Sequence, residues 1–200
     1  MSPAALRFSA LPKDDPLHRA LDRVGELYKA TNFLTWWDAR GFVVAGDDVA
    51  AWHPSRQDQI DRLAAFVEAE VLPTYQQIGE PRFGDQIARV GSVGWDDVRG
   101  GLLDALKHHP VSGGVRPGQA SLGLAPEAFL LLDLIEEQIA AALGFGSAKA
   151  LGEAPRERLR CVRLRPRDGS VFEGTLYQHL FLVWAPAERR LLWFDLGGSQ

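Results

Sequence analysis

Four groups of residues have types and spacing suited to chemistry. His53 follows Asp47 and Asp48 across a short segment, and an imidazole beside a carboxylate makes a general base. No Gly-x-Ser-x-Gly elbow or other activated nucleophile accompanies them, so a small enzyme using His53 with Asp47 or Asp48 is an alternative, not the main reading. His108-His109 invites a metal. Neighbouring residues on a helix point about 100° apart, so the pair does not share one ion without a bend. No His-Glu-x-x-His series exists, and neither a metal nor a cofactor is expected. Cys161, the single cysteine, lies in a predicted strand among arginines, which would favour its thiolate. A buried structural cysteine is the simpler reading.

The fourth group is basic. Arg156, Arg158, Arg160, Arg163, Arg165 and Arg167 fall within twelve residues. In an ideal strand Arg158 and Arg160 face one way while Arg163 and Arg165 face the other, unless a bulge near Val162 unites them. Beside Tyr177 and Trp184 of a neighbouring strand they would suit phosphate and bases, which makes a nucleic-acid or anion binder one alternative function. The simpler reading is an edge strand protected by charge. Gly113-Gly114 and Gly144-Phe145-Gly146 lack a Walker lysine and form no dinucleotide fingerprint, so no nucleotide site is expected from them.

The elements that must position these groups follow from periodicity and punctuation. Asp15-Pro16 opens a helix whose stripe is Leu17, Leu21, Val24 and Tyr28. Phe42–Val44 and Val49–Trp52 flank Gly46-Asp47-Asp48, which predicts a hairpin. Ser55 with Asp58 resembles a capping box, and the helix after it carries Ile60, Leu63, Phe66, Val67, Val71, Tyr75 and Ile78, with a kink at Pro73. A short strand is expected around Ile87–Val90, then a helix from Asp96 or Asp97 to His109. Val111 to Gly123 reads as a loop. The run AFLLLDLIEEQIAAALG is either one buried helix after Pro126 or a strand through Leu132 leading into a helix, closed by Gly144 and Gly146. Leu159–Leu164, Val171–Trp184 and Arg190–Leu196 predict an antiparallel β-meander. The expected fold is one α/β domain over residues 1–200, of α+β type, with helices packed on a mostly antiparallel sheet.

Composition narrows the function class. Hydrophobic residues make up 46% and charged residues 24% of the 200, as in ordinary globular chains. No apolar run reaches the length of a membrane span, and Met1 to Asp15 lacks the character of a signal peptide. A cytoplasmic protein is expected. The net charge of -4 divides into +2 over residues 151–200 and -6 over 1–150. An acidic main body disfavours nucleic acid and favours a basic partner.

Between Gly41 and His109 the order of short motifs resembles the Syd family of bacterial SecY-interacting proteins, within the SUKH superfamily of immunity proteins. The matching features are the apolar Phe42–Val44, the acidic Asp47-Asp48, and the corner Trp52-His53-Pro54. After them come Glu68 and Glu70 before Pro73-Thr74, then Gly84-Asp85, then Trp95, Asp96, Asp97, Arg99 and His108. The resemblance implies a bacterial protein-binding module rather than an enzyme, with an acidic concave face that engages a basic partner segment. On that basis the partner-binding residues are Asp47, Asp48, Glu68, Glu70, Asp96 and Asp97, with Trp52 and Trp95 as aromatic anchors. The expected partner is a basic toxin domain that the protein neutralises. A basic cytosolic loop, and hence a translocon-associated regulator, comes second. Helix caps and solvated turns are the competing roles for the acids, and core packing for the two tryptophans. Nothing in the sequence sets the oligomeric state.

Overall fold

The computed structural model describes residues 6–29, 35–46, 57–75, 82–107, 126–173 and 177–198. Its centre is a six-stranded, wholly antiparallel sheet. The strands are β1 (Arg7–Ala10), β2 (Thr35–Ala45), β3 (Ile87–Val93), β4 (Arg160–Pro166), β5 (Tyr177–Ala185) and β6 (Arg190–Gly198). They lie in the order β1-β2-β6-β5-β4-β3, so the last three form the expected meander. Six helices accompany them: α1 (Pro16–Lys29), α2 (Gln57–Phe66), α3 (Phe83–Gln86), α4 (Trp95–Lys107), α5 (Pro126–Ala142) and α6 (Ala148–Gly152).

Side-chain alternation along the strands makes two cores. On one face Cys161, Phe181, Val183, Leu192 and Phe194 meet α1, α4, α5 and α6 through Leu17, Leu21, Val98, Leu102, Ile135, Ile139 and Leu151. On the other, Val162, Leu164, Leu182, Trp184, Leu191 and Trp193 meet α2 and its continuation through Leu63, Phe66, Val67 and Val71. β5 and β6 are apolar on both sides because helical layers cover both faces, which is why they read as unbroken apolar runs.

Local chemistry explains the ends of the helices. Asp15 Oδ1 accepts the Leu17 N–H at 2.9 Å while its other oxygen pairs with Arg190 at 2.8 Å. This cap also ties α1 to β6. Gly144, at φ +71°, ends α5 in a Schellman arrangement, with Phe145 N–H donating to the Ala140 carbonyl at 2.8 Å. The apolar run of α5 is therefore one helix, not a strand leading into a helix.

Several expectations need correction. Phe42 pairs with Ala10 on one side and Leu191 on the other, and Val43 with Ser9 and Arg190. Both edges are filled, so neither residue is available for a hairpin with Val49–Trp52, which lie outside the described residues. β1 was not anticipated, because its alternation spans only four residues, too short to signal a strand, and only Phe8 among them is even partly buried. The helix carrying Leu63 does not merely kink at Pro73. It ends at Phe66, passes through a π-helical turn at Val67–Val71, and closes with a 3-10 turn at Leu72–Thr74. Proline has no N–H to continue the ladder, and the Thr74 hydroxyl takes the Val71 carbonyl at 2.7 Å. β5 begins at Tyr177, later than expected, and Phe172 is buried from a turn rather than a strand. Finally, β4 is not an edge strand: β3 covers it.

Candidate protein-interaction site

Trp95 opens α4 and is only 3% exposed. Its indole Nε1–H donates to Glu136 Oε1 on α5 at 2.9 Å, and Arg99, one turn further along α4, donates from Nε to Glu136 Oε2 at 2.7 Å. Arg99 Nη2 also reaches Asp133 Oδ1 at 2.9 Å. Both oxygens of the buried Glu136 are thus satisfied, as a buried carboxylate requires. These bonds, Glu136 foremost, hold the Arg99 guanidinium even more firmly protonated than usual. Trp95 is a core residue that fastens α4 to α5.

Above this network lies a concave cavity of about 560 Å³ between α4, α5 and α6. Asp96, Asp133, Glu136, Glu137 and Glu153 line it against only two cations, Arg99 and Lys149. Lys149 sits 3.9 Å from Glu153 in an exposed pair, which neutralises little. The wall supplied by α5 continues into an exposed apolar stripe. Leu130 is 63% exposed and Leu134 59%, with Phe129 beside them at 38%. Leu130, Asp133, Leu134 and Glu137 are spaced i, i+3, i+4, i+7, so leucines and carboxylates share one outward face. The long apolar run of α5 therefore has two functions. Leu132, Ile135 and Ile139 fill the core, while the surplus points outward.

The residues expected to form an acidic face are not brought together. Asp96 lines the cavity, but Asp97 is occupied by the helix start, accepting the Gly94 N–H at 2.9 Å. Glu68 lies on the opposite side of the sheet, where Oε1 accepts the Phe83 N–H that opens α3 at 2.7 Å. Glu70 is on that far side too, in the π-helical turn, and its carbonyl accepts from Arg40 at 2.8 Å. Asp47, Asp48, Trp52, His53, His108 and His109 lie outside the described residues. Asp133, Glu136, Glu137 and Glu153 escaped the sequence reading. The visible signal was the carboxylates punctuating an apolar helix at Asp133, Glu136 and Glu137.

A second polar cluster is buried on the far face of the sheet. Asp195, fully buried, accepts from the Tyr75 hydroxyl and from Gln178 Nε2 at 2.8 Å. Asp38, its cross-strand partner on β2, pairs with Arg40 at 2.7 Å. Burial pushes the Asp38 carboxyl up, against the pull of Arg40. Burial and Asp195 together push the Tyr75 phenol far above its ordinary value. These groups hold one another and lock the end of the π-helical segment to the sheet.

The arginine ladder divides. Arg158 is held by the Gly144 carbonyl at 3.2 Å and lies over Phe145, Arg160 bonds the Arg156 carbonyl at 3.3 Å, and Arg167 bonds the Gly84 carbonyl at 2.7 Å. The register through Val162 is unbroken, so no bulge unites Arg158 and Arg160 with the later pair: Arg163 and Arg165 share the α4 side of the sheet, and Arg89 of β3 stands opposite Arg165. Cys161 is buried, and that burial, with Asp97 nearby, pushes its thiol up to about 12 rather than down. His179 meets Asp104 of α4 at 2.9 Å, a pairing that only the fold reveals. Among the described residues no helix is long and apolar enough to cross a membrane, and no group of three His, Cys, Asp or Glu is placed to hold a metal ion. Compared with protein-family models and with curated proteins, the chain matches none.

Proposed function

We propose that this chain is a non-catalytic protein-binding module of the cytoplasm that captures a basic partner, most simply as a bacterial immunity-type protein that neutralises a toxin by binding it. The observation that carries the reading is the exposed apolar stripe of α5 set directly beside the acidic cavity. Exposed leucines on the outer face of a helix that already has a buried face signal an unfilled contact. Their surroundings specify its chemistry: apolar side chains anchor, and a rim of carboxylates attracts and orients lysines and arginines. A toxin domain that binds nucleic acid has such a basic surface. A basic cytosolic loop of the translocation channel shares that chemistry and is the second reading.

The test is capture from a lysate of the native host by tagged protein, with wild type and Leu130→Asp/Leu134→Asp compared side by side. Both leucines are exposed, so the variant keeps its circular dichroism and melting temperature. A stoichiometric basic protein that is retained by wild type and lost by the variant supports the proposal. Identical retention by both forms removes α5 from the interface.

A further inference from the structure

We propose that Arg89, Arg163 and Arg165 form a second, separate binding site, for a compact phosphoryl polyanion of about the size of pyrophosphate. The three side chains project from adjacent strands on the α4 side of the sheet. Arg89 is directly opposite Arg165, and Arg163 is opposite Gly91. Directly opposed residues in an antiparallel pair place their Cβ atoms about 5 Å apart, where like charges destabilise the pairing. None of the three has a carboxylate partner among the described residues, unlike Arg40, Arg99 and Arg190. Protection of a sheet edge accounts at most for Arg89 on the edge strand β3; it does not explain Arg163 and Arg165, which belong to an interior strand. A bound anion supplies the missing charge.

The surroundings are built for a ligand. The three arginines with Gly91 and Val93 line an open depression of about 240 Å³. That is smaller than the roughly 300–1,000 Å³ of ordinary small-molecule pockets, and it suits two linked phosphoryl groups rather than a base-reading groove. Gly91 keeps the floor clear, since nothing lies within 4 Å of where a Cβ would be. Arg163 is half-buried, its guanidinium 5.8 Å from the centroid of the fully buried Phe181 ring. Phe181 in turn stacks on His179 at 6.2 Å, and His179 is fixed by Asp104. One guanidinium is thereby ordered before any ligand arrives, which lowers the entropy lost on binding. Planar forks of this kind match phosphoryl oxygens in pairs.

The site is tested by calorimetric titration of the full chain with sodium pyrophosphate at low ionic strength. One saturable site is expected, weakened by added salt. Arg89→Gln with Arg165→Gln should weaken it by at least about tenfold, the scale of one charged hydrogen bond lost. Both residues are exposed, so circular dichroism should be unchanged. Arg163→Lys, which keeps the charge but loses the fork, should weaken it less, and Arg156→Gln, away from the site, should leave it intact. Parallel titrations with ADP distinguish the source. Equal affinity points to an inorganic polyphosphate, and tighter ADP binding to the diphosphate end of a nucleotide. Absence of saturable binding, undiminished affinity in the double arginine variant, or binding of oligonucleotides but not pyrophosphate would overturn the proposal.

Discussion

Glu136 shows what a single buried carboxylate contributes here. Glu136→Ala strands the buried Trp95 N–H and leaves Arg99 held by Asp133 alone. An unsatisfied buried donor costs about 1–3 kcal/mol, so the unfolding free energy from urea titration should fall by an amount in that range. Glu136→Gln keeps an acceptor for the indole and should lose less; equal losses would mean that charge, not acceptance, is what matters. Cys161 gives a second expectation at this scale. With its thiol raised to about 12, only a minute fraction is thiolate at pH 8. Native protein should resist a thiol-labelling reagent, with labelling rising as pH increases and becoming rapid once the chain is unfolded. Fast labelling of the folded protein at pH 8 would show that β4 opens. The sequence named Cys161 as structural or activated, and the deciding factor, its enclosure beneath α4, arises only from the packing of distant segments.

At the scale of elements, what was legible was local. The Asp15-Pro16 helix start, the Gly144 stop and the three C-terminal strands are written in adjacent residues, and all appear. Long-range pairing was not legible. The pairing of β1 with Phe42–Ala45 and of β3 with β4 joins segments far apart in sequence, and those contacts decide which strand is an edge. That is why the arginines read as edge protection although their strand is interior. Gly101 shows the same dependence. A Cβ there would stand 2.5 Å from Phe181 Cε2. Gly101→Ala improves helix propensity by about 1 kcal/mol, yet it must push α4 off a fully buried ring, which typically costs 1–3 kcal/mol. Net destabilisation is expected in thermal unfolding; a stabilised variant would show that α4 is more loosely seated than its contacts with β5 imply.

Across the whole molecule, the sheet separates what the sequence placed together. Glu68 and Glu70 belong to the layer on one side, Asp96 and Asp97 to the layer on the other, so no single acidic face unites them. An acidic concavity exists nonetheless, assembled from α4, α5 and α6, with Asp96 its one anticipated acid and the largely buried Trp95 the other anticipated residue at its lining. The overall acidic bias was readable from composition; its location was not, because α5 looked fully buried until its neighbours showed that one stripe has no cover among the described residues. The cavity and the basic arginine cluster occupy different parts of the same layer, and their opposite charges call for different ligands.

The most direct measurement of the central claim is hydrogen exchange on the protein with and without its captured partner. New protection over 126–142 and 148–153, with β3 and β4 unchanged, is the expected result. Protection confined to β3 and β4, or to the far layer around α2, would contradict a binding surface on α5.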